Sequence, residues 1–178
     1  SRARKLLKQH PEVTPAFYPS MSGVDVVLQA KSPTGLRALN ASMARLLGEA
    51  VYEVGNRDME QVLGDLLRRK GLKLATAESC TGGRIGDRLT SVPGSSDYFA
   101  GGVIAYSNDV KAGTLGVRPA TLERYGAVSA QTVREMARGA CRVFGSDVGV
   151  AVSGIAGPGG ATKDKPVGLV YVGVALRG

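Results

Sequence analysis

The chain has 178 residues, 43% of them apolar, with 25 glycines, no tryptophan and a net charge of +8. That composition can fill a core and excludes a disordered chain, and the lack of an apolar run of about 18 residues excludes a membrane-spanning helix. The positive excess, +3 before Asn56 and +5 from there on, forms no long run. It favours anionic ligands such as nucleotides, and nucleic acid only weakly; an ordinary solvated surface accounts for it as well.

Taken in order, residues 1–9 place Leu6 and Leu7 among basic residues and predict a short helix. SRARKLLKQH has no apolar core after its charges, so no signal peptide is expected. The missing initiator Met suggests a piece of a longer protein. Pro11, Pro15 and Pro19 then break periodicity. VDVVLQA at 24–30 is β-branched, bounded by Gly23 and Pro33, and reads as a strand. In 35–49 the residues Leu36, Leu39, Met43, Leu46 and Leu47 keep helical spacing. A short strand is expected at 51–54. Residues 1–54 therefore form a small α+β domain. It lacks the GxxG loop of an RNA-binding module, and SPTG at 32–35 is a poor substitute, so nucleic acid is not its expected ligand.

Gly55-Asn56 marks the start of a second domain, 55–178. Asn56 is placed to cap a helix whose inward face is Met59, Val62, Leu63, Leu66 and Leu67, and Gly71 ends it. A strand at 72–77 runs into a polar bend and a glycine pair. Ile85, Leu89 and Val92 mark the next helix. GGVIAYS carries a strand at 102–106, and Lys111 starts a new turn. Residues 118–125 are helical, and Ser129 caps a long helix at 130–144 with Val133, Met136, Ala137, Ala140 and Cys141 inward. Strands at 148–152 and 167–176 follow, joined without a helix, so they should pair antiparallel. The fold class is α/β: a mixed, mainly parallel sheet with helices on both faces, preceded by the small α+β domain. Ending directly after a strand, the domain is expected to be truncated at its C-terminus.

Three polar clusters fall at strand ends, where ligands collect in open α/β sheets. They are Glu78-Ser79-Cys80-Thr81, Tyr106-Ser107-Asn108 with Lys111, and 153–160. The first bend opens a helix, so free N–H groups and a helix dipole could hold an anion or an oxyanion beside a nucleophile. Gly154, Gly157, Gly159 and Gly160 allow backbone N–H groups close to an anion, although the segment matches no standard phosphate signature and a tight turn would also use them. The sole histidine, His10, lies near the start, so a base within the second domain must be Lys, Asp, Glu or Tyr. A desolvated Lys111 could take a proton from a hydroxyl; a surface lysine is the plainer alternative. Ser79 and Cys80 are rival nucleophiles, since a thiol at a helix N-terminus is activated. Cys80 and Cys141 share no CxxC spacing, so neither zinc nor a disulfide framework is expected, and a reducing, cytoplasmic setting fits.

TAESCTGG at 76–83, GGVIAYSNDVK at 101–111, GAVS at 126–129 and SGIAGPGG at 153–160 closely resemble the CinA C-terminal family of nicotinamide-mononucleotide deamidases, also called PncC. Residues 1–54 are similar, less distinctively, to the KH-like middle domain of CinA proteins. The resemblance implies hydrolysis of nicotinamide mononucleotide to nicotinic acid mononucleotide and ammonia, with no metal or cofactor. It places the catalytic serine, tyrosine and lysine at Ser79, Tyr106 and Lys111. Substrate contacts are expected from Glu78, Thr81, Gly82, Gly83, Asn108, Ser153, Gly154, Gly157, Gly159 and Gly160. The expected oxyanion donors are N–H groups near 81–83. A homo-oligomer, a dimer, is expected, with no nucleic-acid or membrane partner. The family continues beyond this sequence with an arginine-bearing segment that belongs to its active site, so the chain alone is expected to be weakly active or inactive. The family's pyrophosphatase activity belongs to a preceding domain that nothing here matches.

Overall fold

A computed structural model describes residues 2–20, 23–32 and 34–177. Pro33, expected to bound the second strand and part of the SPTG segment, lies outside the described residues, as do Ser1 and Gly178. The chain divides into two compact units, Ser1–Val62 and Leu63–Gly178. The division falls within a helix, past Gly55.

In the first unit, helix α1 (Arg2–Lys8) precedes a hairpin of β1 (Val13–Ser20) and β2 (Gly23–Ala30), followed by α2 (Leu36–Leu47). The prolines of 11–19 do not prevent a strand. Pro15 and Pro19 pair across from Leu28 and Val24. They are an even number of residues apart, so both lack their N–H on the same side of a two-stranded ladder, the side without a partner. The strand expected at 51–54 is absent; that segment is irregular after a single 3-10 turn at Gly48–Ala50. Val13, Leu39 and Met43 are the unit's buried apolar side chains among the described residues.

Helix α3 (Met59–Lys70) opens the domain. Its cap is Asp58 rather than Asn56: the Asp58 carbonyl accepts from Gln61 and Val62, while Gln61 Oε1 accepts the Asp58 N–H at 2.9 Å. This reciprocal pairing satisfies donors that would otherwise be orphaned at the helix start. Gly71, at φ 64°, ends the helix as expected. Its buried face is narrower than the apolar pattern implies. Leu67 and Gly64 are buried, whereas Met59 and Leu66 are both 40% exposed.

The sheet follows with strand order β4-β3-β5-β6. β3 (Leu74–Glu78) is central and buried throughout, parallel to both β4 (Phe99–Ile104) and β5 (Val148–Gly154). β6 (Val170–Leu176) runs antiparallel to β5. The mixed, mainly parallel sheet is therefore as the pattern indicated. β4 begins three residues earlier than expected and ends two earlier, which leaves Tyr106 beyond the strand end. Helix α4 (Arg84–Thr90) joins α3 over one face, where Leu67, Leu74, Leu89 and Tyr98 pack together. Helices α5 (Asn108–Gly113), α6 (Pro119–Tyr125) and α7 (Ala130–Phe144) belong to the other. There Val133, Met136, Ala137 and Ala140 of α7 close over Ala75, Ala77 and Ala151. The alternation of β3 side chains supplies both cores at once. β6 turns Val172, Val174 and Leu176 outward, exposed by 64%, 63% and 76%. No described helix is long and apolar enough to cross a membrane.

The approach of α7 to the sheet depends on small residues. A Cβ at Gly149 would overlap the carbonyl oxygen of Ala137, and one at Gly173 would lie 2.7 Å from that of Val133. Backbone cannot yield as a flexible side chain would. Gly149→Ala is therefore expected to lower unfolding free energy by about 1–3 kcal/mol in urea titrations. An unchanged midpoint would mean that helix and sheet separate without cost.

Candidate active site

Strand β3 delivers Glu78 at its last position, and the chain then turns through residues 79–83 into α4. Neighbouring strands hold this turn. The Ser79 N–H donates to Val152 O at 3.0 Å, and the Ala105 N–H donates to Glu78 O at 2.7 Å. The Gly82 N–H closes the turn on Ser79 O at 3.1 Å. Gly82 and Gly83 have φ of 61° and 100°, left-handed values that favour glycine and explain the pair.

On the adjacent loop, Ser107 caps α5 by accepting the Val110 N–H at 3.2 Å. This short helix turns Lys111 inward, where it is 1% exposed. Its Nζ lies 2.7 Å from Ala105 O, 3.1 Å from Tyr106 O and 3.2 Å from Ser79 Oγ. All three ligands are neutral. Burial therefore dominates and holds the Lys111 amine below the usual lysine range, with the Cys80 thiol the smaller opposing influence. A neutral amine carries two N–H groups and one lone pair. Two carbonyls match the two N–H groups, and the lone pair is left for the Ser79 hydroxyl.

The two rival nucleophiles face different ways. Ser79 is buried against Lys111. The partly exposed Cys80 faces the glycine loop, its Sγ 3.1 Å from where a Cβ on Gly154 would stand. Burial pushes the Cys80 thiol up, with nearby Lys111 opposing. A thiol held protonated is the poorer nucleophile.

A cavity of about 240 Å³ adjoins the turn at Cys80, lined by Cys80, Tyr106 and the 154–160 loop, with Gly154, Gly157, Gly159 and Gly160 on its wall. Tyr106 is 76% exposed. It meets Lys111 through its carbonyl and lines the cavity. Asn108 is exposed at the first position of α5. A larger cavity, about 580 Å³, lies in the first unit against Met43, Leu47 and Tyr52. Ser79 and Lys111 are on the wall of neither cavity, so the site is identified by their contact and not by cavity size.

Other expected contacts are spent on the protein itself. The buried Glu78 carboxylate accepts the N–H groups of Gly83, Ile85 and Gly86 at 3.1, 3.0 and 2.8 Å. The α4 N-terminus is thus occupied, and Gly83 N–H is not a free oxyanion donor. Among the described residues, Cys80 and Thr81 keep N–H groups that enter no backbone bond. Ser153 Oγ donates to Ala127 O at 2.8 Å rather than turning to the cavity. Thr81 Oγ1 is buried without a hydrogen-bond partner.

The sequence offered no signal for several parts. Ala105 and Tyr106 act through carbonyls, which every residue has. Carbonyls of the 125–127 segment hold the residues flanking the glycine loop in the same way: Tyr125 O accepts from Lys165 Nζ at 2.7 Å, and Ala127 O accepts from Ser153.

The folded-state value of Lys111 lies below that of the unfolded chain. Between the two, the unfolded chain binds the extra proton, so this residue's contribution to stability grows as pH rises. The stability of the wild type relative to Lys111→Met should therefore increase from neutral pH to about pH 10, read by urea unfolding. A pH-independent difference would refute the lowered value.

Residues 56–178 match the family described as the CinA C-terminal domain. A CinA-like protein of Thermosynechococcus vestitus is 44% identical over 178 residues, covering 98% of this chain and 43% of that protein. A CinA-like protein of Chlorobium phaeovibrioides is 47% identical over 170 residues, 92% of this chain and 40% of that protein. The chain thus spans less than half the length of these curated relatives. Among solved structures, a competence/damage inducible protein of Agrobacterium tumefaciens is 45% identical with a TM-score of 0.65, covering 66% of this chain and 72% of that one. A CinA superfamily protein of Escherichia coli is 28% identical with a TM-score of 0.61, covering 71% and 81%.

Proposed function

The chain belongs to the CinA family, and we propose that its larger unit is a serine amidohydrolase that converts nicotinamide mononucleotide to nicotinic acid mononucleotide and ammonia. The observation that carries the reaction type is the buried Lys111 amine 3.2 Å from Ser79 Oγ. The substrate follows from the resemblance of the four motifs.

In this reading neutral Lys111 takes the Ser79 proton as Oγ attacks the carboxamide carbon. The resulting oxyanion sits against the N–H groups of Cys80 and Thr81. The first of these follows the nucleophile directly, as in the nucleophile elbow of other serine hydrolases. Lys111 then returns the proton to nitrogen, the C–N bond breaks, and ammonia leaves an acyl-serine. Water attacks that ester with Lys111 again as base, and Ser79 regains its proton. Tyr106 contributes its carbonyl to Lys111 and part of the cavity wall. The 154–160 backbone takes the ribose phosphate end of the substrate, where its glycines permit close approach.

Ammonia release from nicotinamide mononucleotide by the full-length protein should fall at least about 1000-fold in Ser79→Ala. Lys111→Arg should be equally inactive, because arginine stays charged. Cys80→Ala should retain most of the activity. Turnover that survives in Ser79→Ala and vanishes in Cys80→Ala would exchange the two roles.

A further inference from the structure

The amidase reading leaves the one buried carboxylate among the described residues without a part in the chemistry. Glu78 is 1% exposed and immediately precedes the nucleophile. Its side chain reaches over the turn. Oε2 takes two N–H groups, Gly83 at 3.1 Å and Ile85 at 3.0 Å, and Oε1 takes Gly86 at 2.8 Å. Helix α4 has no side-chain cap of its own, its N-cap being Gly83. The cap therefore comes from the preceding strand. One carboxylate thus closes both ends of the nucleophile turn, from the strand residue before Ser79 to the first turn of α4. Hydrogen bonds to a charged acceptor are the strong kind, and three converge here out of water.

We infer that Glu78 is the positioning residue of the nucleophile. It holds the 79–83 turn so that Ser79 Oγ meets Lys111 Nζ, and it fills the α4 N-terminus so that the oxyanion falls to Cys80 and Thr81. Glu78 touches no substrate. Its effect passes through the turn, and Lys111, whose three partners are a hydroxyl and two carbonyls, does not depend on its charge. The inference rests on the serine–lysine reading and is independent of which amide is cleaved.

Two substitutions separate geometry from charge. Glu78→Gln keeps the size but turns an NH2 group toward an N–H donor, and Glu78→Asp keeps the charge but falls short by a methylene. Both are expected to lower kcat for nicotinamide mononucleotide by about 100-fold, the scale of a small misplacement. KM should stay within about twofold, as expected when only transition-state geometry is lost. Labelling of Ser79 by a fluorophosphonate, in which Oγ bonds to phosphorus, fluoride leaves and Lys111 takes the proton, should slow in parallel. Wild-type rates in the folded variants, or a rise in KM that accounts for the loss, would overturn the assignment. Should the wild type label at Ser79 yet leave nicotinamide mononucleotide intact, the substrate reading falls and the labelling rates still decide the role of Glu78. Should the variants not fold, amide NMR of the wild type decides. Phenylboronic acid bound at Ser79 should shift the Cys80 and Thr81 signals and leave Gly83, Ile85 and Gly86 in place. The reverse pattern would overturn the inference.

Discussion

A buried amine with no counter-ion among the described residues is the constraint from which the rest of this site follows. Lys111 is enclosed by α5 and by the ends of β3 and β4, and the groups that meet it are two carbonyls and a hydroxyl. A charged ammonium would be poorly compensated there, so the environment favours the neutral form. The same two carbonyls fix where the remaining lone pair points. A base and its proton donor are thereby paired without histidine, which the second unit lacks.

That amine requires a fixed hydroxyl opposite it, and the sheet provides the fixing. Ser79 leaves the central, wholly buried strand with its N–H bound to β5, while the carbonyl before it is bound by the chain leaving β4. The strand ends cannot part without breaking these bonds in a dry interior, where an unmade bond is costly. Glu78 adds the third tie, from the turn to α4. Rigid strands position the pair, and the glycine loop supplies a wall of backbone around the cavity. Its own anchoring runs through carbonyls of the 125–127 segment.

Much of this was readable from residue order. Helical spacing in 130–144 identified five of the seven buried residues of α7, missing only Thr132 and Gly139, because a long amphipathic pattern has one sensible face. The uninterrupted apolar run of β5 and the missing helix before β6 gave the antiparallel pair. Weaker local signals failed where tertiary packing overrode them. Prolines concealed β1, whose free side needs no donors. Asn56 looked like a cap, yet Asp58 and Gln61 form the reciprocal pair. Leu66 and Met59 fit the periodicity of α3 but remain substantially exposed, since Gly64 brings the helix down on Tyr98.

The sequence by itself determined the class of fold, the strand-end clusters and the chemical types present at each, because periodicity and turn residues act over a few positions. Tertiary structure alone decided which way each group faces. Adjacent residues of the 79–81 turn go to different surroundings: Ser79 to the amine, Cys80 to the glycine loop, Thr81 inward with its hydroxyl unpaired. It also turned Glu78 and Ser153 to the protein's own backbone and gave the carbonyls of Ala105 and Tyr106 a role no side-chain pattern encodes. Burial and hydrogen bonding across strands distant in sequence set these outcomes, and neither quantity exists until the sheet has assembled.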